Sequence, residues 1–103
     1  MTDRTHLESE EYQGWPNRET WGASLIIGNL EPLYRKVQRL LDWAEADEQD
    51  ELGSYQLGWL MNETFNSYLN DPDLELEIQV MIRSTVGSMW RVDWRRIAEA
   101  SVA

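Results

Sequence analysis

Nineteen carboxylates, nine cations and one histidine are the groups available for chemistry in this chain, and their spacing decides what that chemistry can be. The densest array is "DWAEADEQDE", residues 42–51, with six carboxylates and no cation. If a helix continues through it, Asp42, Glu45 and Glu48 form an i, i+3 row with Asp47, Asp50 and Glu51 beside it. Neighbours in such a row stand about 4.5 Å apart along the helix axis. Like charges this close repel, so the row is either a solvated stretch or a face that a basic partner neutralises. A row of carboxylates can imitate backbone phosphates and occupy a nucleic-acid-binding groove, with fast, salt-sensitive association as its signature.

Other constellations give less. His6 is the lone histidine and sits in a polar stretch, so neither a triad nor a histidine metal site has its partners. With no cysteine, thiolate metal sites, disulfides and cysteine nucleophiles are excluded together. The six glycines are scattered and open no phosphate-binding loop. Residues 42–51 fail the calcium-loop spacing, because no glycine stands at their centre. Nineteen acids make any single acid–base pair arbitrary without geometry. The reading is therefore no enzyme, no metal and no cofactor. "WRVDWRR", residues 90–96, interleaves three arginines with two tryptophans, a pattern that can stack on bases and pair with phosphates. A helix with an apolar face and a basic outer face has the same pattern, and a net charge of −10 opposes a polyanion. Direct binding of nucleic acid is not expected.

The elements that must position these groups read as helical. Trp15 precedes a proline and is biased towards extended backbone. Asn17 is a preferred N-cap and Glu19 falls in the first turn, where the helix dipole favours a negative charge. Trp21 and Leu25 follow at helical spacing, with Gly28-Asn29 as a stop. Trp15 and Trp21 have two readings: a staple across the helix start, or, if exposed, an aromatic binding platform. A second helix opens at Pro32 and carries Leu33, Val37, Leu40, Leu41 and Ala44 as one stripe, with Arg35, Lys36 and Arg39 opposite. A third is expected from a Ser54 cap, with Tyr55, Trp59, Met61 or Asn62, Phe65 and Leu69 as its apolar face and Gly58 as a weak point. "NDPD", residues 70–73, ends it.

Residues 74–82, "LELEIQVMI", fit both periods: alternation as a strand, or Leu74, Ile78, Met81 and Ile82 as a helix face. A lone strand in a helical chain has nothing to pair with, so helix is favoured, and α+β with a strand at 74–82 is the alternative. Asp93 then caps a final helix with Trp94, Ile97 and Ala98 inward and Arg95 and Arg96 outward. The expected architecture is all-α: a compact bundle of four to five short helices around a Trp-rich core, residues 14–103, behind a polar, flexible arm at 1–13.

The pattern G-W-x-N-x-E-T-W, formed by Gly14, Trp15, Asn17, Glu19, Thr20 and Trp21, resembles a family of small proteins of phages, plasmids and prokaryotic genomes with no established biochemistry. The closing "VDWRRIAEA", residues 92–100, resembles the same family's last helix. The resemblance implies an all-helical small domain associated with mobile elements. Gly22-Ala23 departs from it, where bulkier or more polar residues are expected.

These readings converge on a protein that acts by binding protein. No apolar run reaches the ~18 residues of a membrane span, and the N-terminus has no secretory pattern. The expectation is a cytoplasmic protein of a prokaryotic host cell. Its foremost expected role is an inhibitor whose acidic face (Asp42, Glu45, Asp47, Glu48, Asp50, Glu51) blocks a basic protein surface, such as a nuclease or another DNA- or RNA-binding protein, in the manner of anti-restriction or anti-CRISPR proteins. The alternative is an adaptor that docks through exposed aromatic and aliphatic residues, or pairs with itself as a homodimer.

Overall fold

A closed turn opens the described chain, which comprises residues 11–46 and 53–101 of a computed structural model. Tyr12 and Trp15 exchange both backbone hydrogen bonds, each 2.8 Å long. Both central residues have positive φ, 52° at Gln13 and 86° at Gly14, as a type I′ turn requires. Tyr12, which sequence alone places in the polar arm, thus packs with the domain, its ring edge-on to Trp21 at 4.9 Å.

Helix α1, Arg18–Asn29, starts where the cap chemistry puts it. Asn17 has extended backbone, and its Oδ1 accepts the Thr20 N–H at 2.8 Å. Leu30 ends the helix and α2, Glu31–Ala46, begins one residue later. Leu33 and Val37 of its stripe are buried, Leu40, Leu41 and Ala44 lean on the core, and Arg35, Lys36 and Arg39 face solvent. Helix α3, Ser54–Leu69, departs from expectation in two ways. Gly53, not Ser54, is the N-cap, and it makes no side-chain cap bond. The inward stripe is Leu57, Met61, Phe65, Tyr68 and Leu69, whereas Tyr55 and Trp59 stand 78% and 60% exposed on the outside.

The turn after α3 is tightened by Asp71, whose Oδ1 accepts the Asp73 N–H at 2.8 Å. Residues Leu76–Val86 then form helix α4, not a strand. Ile82 and Val86 are buried while Leu76 and Val80 point outwards, so the alternation of 74–82 splits between the two sides of a helix. A 3-10 turn at Met89–Arg91 leads to α5, Trp94–Ser101, where the Asp93 Oδ1 accepts the Arg96 N–H at 3.1 Å. Among the described residues there are five α-helices and no strand, and the architecture is an all-α bundle.

Two glycines set how the helices cross. A Cβ on Gly22 would lie 2.5 Å from the Thr85 carbonyl oxygen, so α1 and α4 meet there backbone to backbone. A Cβ on Gly58 would lie 2.8 Å from the Trp94 carbonyl, which makes Gly58 the crossing of α3 and α5. The Gly22-Ala23 pair that looks out of place in sequence is thus the crossing point, with Ala23 fully buried beside it. α2 closes the bundle against α1 and α3. The core is aliphatic around Phe65 rather than Trp-rich: Trp15 and Trp94 pack on its edge, and Trp43, Trp59 and Trp90 are exposed. Burial of Tyr68, reinforced by the charge of Asp71, raises its phenol above the ordinary tyrosine range.

Candidate functional site

Because Gly58 lets α5 lie directly on α3, the side chains beside the crossing are pushed apart and a groove opens between them. Tyr55, Trp59 and Asn62 of α3 form one wall; Arg91, Trp94 and Arg95 form the other. The groove is open to solvent and encloses about 900 Å³. Trp94 is held from behind by Phe65, ring centroids 5.2 Å apart and tilted by 60°. Trp90, 83% exposed, stands next to the groove with the Arg91 guanidinium 5.9 Å from its ring centroid.

The wall carrying the arginines is pinned from the other end of the chain. Asn17 caps α1 with its oxygen and donates its amide N–H to the Arg91 carbonyl at 3.0 Å. Thr20, fully buried, accepts the Asp93 N–H on its hydroxyl at 2.8 Å. Glu19 lies 4.0 Å from the Arg91 guanidinium. Three residues of the N-terminal motif therefore hold the 3-10 turn and the start of α5 in place. Arg95 pairs with Glu99 at 3.3 Å, an exposed pair of small energetic weight. Asp93 is the one carboxylate among the groove's lining residues, and its oxygen is engaged in capping α5.

Trp15 and Trp21 do not form the most exposed aromatic surface. Both are half-buried; Trp15 lies under the Arg96 guanidinium at 5.4 Å, and Trp21 meets Tyr12. Of the acidic face, Asp42 is exposed near the end of α2. Asp47, Glu48, Asp50 and Glu51 lie outside the described residues, as does the side chain of Glu45. A second run of carboxylates, Asp71, Asp73, Glu75 and Glu77, lies within the described residues, and all four are exposed. Tyr55 and Trp59 were missed as surface residues. What marks them is Gly58 between them: a Cβ there would lie 2.8 Å from the Trp94 carbonyl, so its neighbours in α3 flank the crossing, whereas the helical Gly28 makes no such approach. Among the described residues no group of three or more His, Cys, Asp or Glu side chains is placed to hold a metal ion, and no helix is long and apolar enough to cross a membrane.

Fold and site together define a small all-α protein with an open aromatic groove at a glycine-mediated helix crossing. By sequence the chain belongs to the DUF7249 family of unknown function, whose model matches residues 8–83. The matched span includes the N-terminal motif, the α3 wall of the groove and most of α4; the arginine-bearing wall and α5 lie beyond it. No curated protein and no solved structure matches the chain.

Proposed function

We propose that this protein is a non-enzymatic protein-binding module that docks a partner in the groove between α3 and α5. The observation that carries this reading is the exposure of Tyr55 and Trp59 on one wall, opposite Trp94, Arg91 and Arg95 on the other. Tyr, Trp and Arg are the residue types that dominate binding energy at protein interfaces. Large aromatic side chains each remove about 150–250 Å² from water when covered, so leaving Tyr55 and Trp59 exposed costs the free protein something that a partner recovers. The test is capture from a prokaryotic lysate by the wild type and by the Tyr55→Ala/Trp59→Ala variant, side by side. A partner retained by the wild type through high salt and lost by the folded variant supports the reading. Equal capture by both overturns it.

The charge distribution favours a second reading, the mobile-element-type inhibitor that covers a nucleic-acid-binding surface of a host protein in the cytoplasm, in the manner of anti-restriction or anti-CRISPR proteins. Its support is the net charge of −10 and the exposed carboxylates at Asp42 and along 71–77. This reading requires a basic partner released by modest salt, and a triple Glu45→Gln, Glu48→Gln, Glu51→Gln variant that folds but no longer binds. A partner that ignores both salt and the triple change excludes it.

A further inference from the structure

The two glycine crossings seat α4 on α1 and α5 on α3, and the chain that joins these two pairs is built differently. It runs from Gly87 to Asp93. Gly87 has φ 84° and ψ −125°, a region that glycine alone visits readily. Unlike Gly22 and Gly58, it has no backbone against it: a Cβ there would meet side-chain atoms of Arg18 and Glu19, at 3.6 and 3.9 Å. No packed main chain opposes a turn at that point. Beyond it, Ser88, Trp90, Arg91 and Asp93 are exposed, Met89 is half-buried, and Val92 is buried. The internal hydrogen bonds run from the Arg91 N–H to the Ser88 carbonyl at 3.0 Å and from the Val92 N–H to the Met89 carbonyl at 3.2 Å. Both are of the 3-10 kind, whose geometry is poorer than that of α-helical bonds.

Helix α1 anchors this segment. The Asn17 amide donates to the Arg91 carbonyl, the Thr20 hydroxyl accepts the Asp93 N–H, and Glu19 stands beside the Arg91 guanidinium. We infer that residues 87–93 are a hinged strap, which swings off the first turn of α1 about Gly87 as a unit while the helices stay packed. The chain has the length for it. A 3-10 turn rises about 2.0 Å per residue and extended chain about 3.3 Å, so unwinding Met89–Arg91 supplies slack without pulling α4 or α5 from its seat. Segments with few buried apolar groups and solvent-exposed hydrogen bonds open below the free energy of global unfolding, and Val92 is the strap's one fully packed side chain. Arg91 lines the groove and Trp94 follows the strap directly. The groove thus has a closed setting, with Arg91 in its wall, and an open one without it. That control of docking rests on the reading of the groove as a docking site; the swing itself needs no partner.

The experiment is native-state hydrogen exchange of the full chain, read by NMR in rising, sub-denaturing urea. The Arg91 and Val92 amides are expected to exchange about a hundredfold or more faster than the Phe65 amide in the middle of α3, with little dependence on urea. Two variants separate the strap from the bundle. Val37→Ala loosens α2, which stays packed in both settings, so it should speed exchange at Phe65 and leave Arg91 and Val92 unchanged. Thr20→Val removes a contact that only the closed strap makes, so it should speed all three by the same factor. Asn17→Asp keeps a cap acceptor and loses the donor to Arg91, and it serves in the same way if the valine variant misfolds. Strap amides that exchange at the Phe65 rate with its urea slope, or that follow Val37→Ala, overturn the inference, because the segment then opens only with the whole fold. Arg91 and Val92 amides with no protection overturn it too, since no closed setting then exists. Neither result touches the capture experiment with Tyr55→Ala/Trp59→Ala, so the docking reading stands or falls on its own.

Discussion

Thr20 is a polar side chain with no exposed surface, and its hydroxyl takes the Asp93 N–H from the far end of the chain. Replacing it by valine keeps the shape and removes the acceptor, so a part-buried amide loses its partner at the start of α5. The loss of such a hydrogen bond costs about 0.5–1.5 kcal/mol. Thr20→Val should lower the urea midpoint accordingly, whereas Thr20→Ser should recover most of it by restoring the acceptor. A valine variant as stable as wild type would remove Thr20 from the account of how the groove wall is held. Asn17 shows the same economy: one side chain both caps α1 and donates to Arg91. Cap chemistry is local, so the N-cap role of Asn17 and the dipole placement of Glu19 are legible from sequence. Their second partners, more than seventy residues away, are not.

At the scale of elements, glycines separate packing from propensity. Gly28 in α1 has open space where a Cβ would go, whereas Gly58 in α3 would drive a Cβ into the Trp94 backbone. Gly28→Ala should therefore stabilise by about 0.5–1 kcal/mol through backbone entropy. Gly58→Ala should destabilise by about 1–3 kcal/mol through overpacking and should pull α5 away from α3. Thermal melts of the two variants check the opposite signs; equal shifts would refute the crossing argument. Periodicity makes α1, α2 and α5 visible in sequence, and the absence of a strand partner makes α4 a helix. The face of α3 is only half visible: Met61, Phe65 and Leu69 are legible, but Tyr55 and Trp59 count as apolar in any periodicity and so take the places that belong to Leu57 and Tyr68. For the same reason a chain with six tryptophans suggests a Trp-rich core, although these aromatics have polar handles and mostly fringe an aliphatic one.

Over the whole molecule, charge is unevenly shared. The described residues hold twelve of the nineteen carboxylates and eight of the nine cations, so residues 1–10 and 47–52 contribute most of the net −10. Repulsion within a chain of one dominant sign opposes the compact state. Raising NaCl from about 0.02 M to about 0.5 M shortens the screening length to well below 10 Å and should raise the melting temperature, as read by circular dichroism. A melting temperature that falls with salt would show that the ion pairs Arg35–Glu31 and Arg95–Glu99 outweigh the repulsion. The pinning of the 3-10 turn by Asn17 and Thr20 has a kinetic consequence of its own. Those hydrogen bonds close loops of more than seventy residues, an entropy cost of about 4 kcal/mol if met in one step. The joint that shapes the groove is therefore expected to form last, after the local helices have shortened the path between its ends. If the groove docks a partner as proposed, that partner is a latch on the final closure: it should slow the first step of unfolding, and its affinity should fall with every substitution that loosens the two ends of the chain from each other.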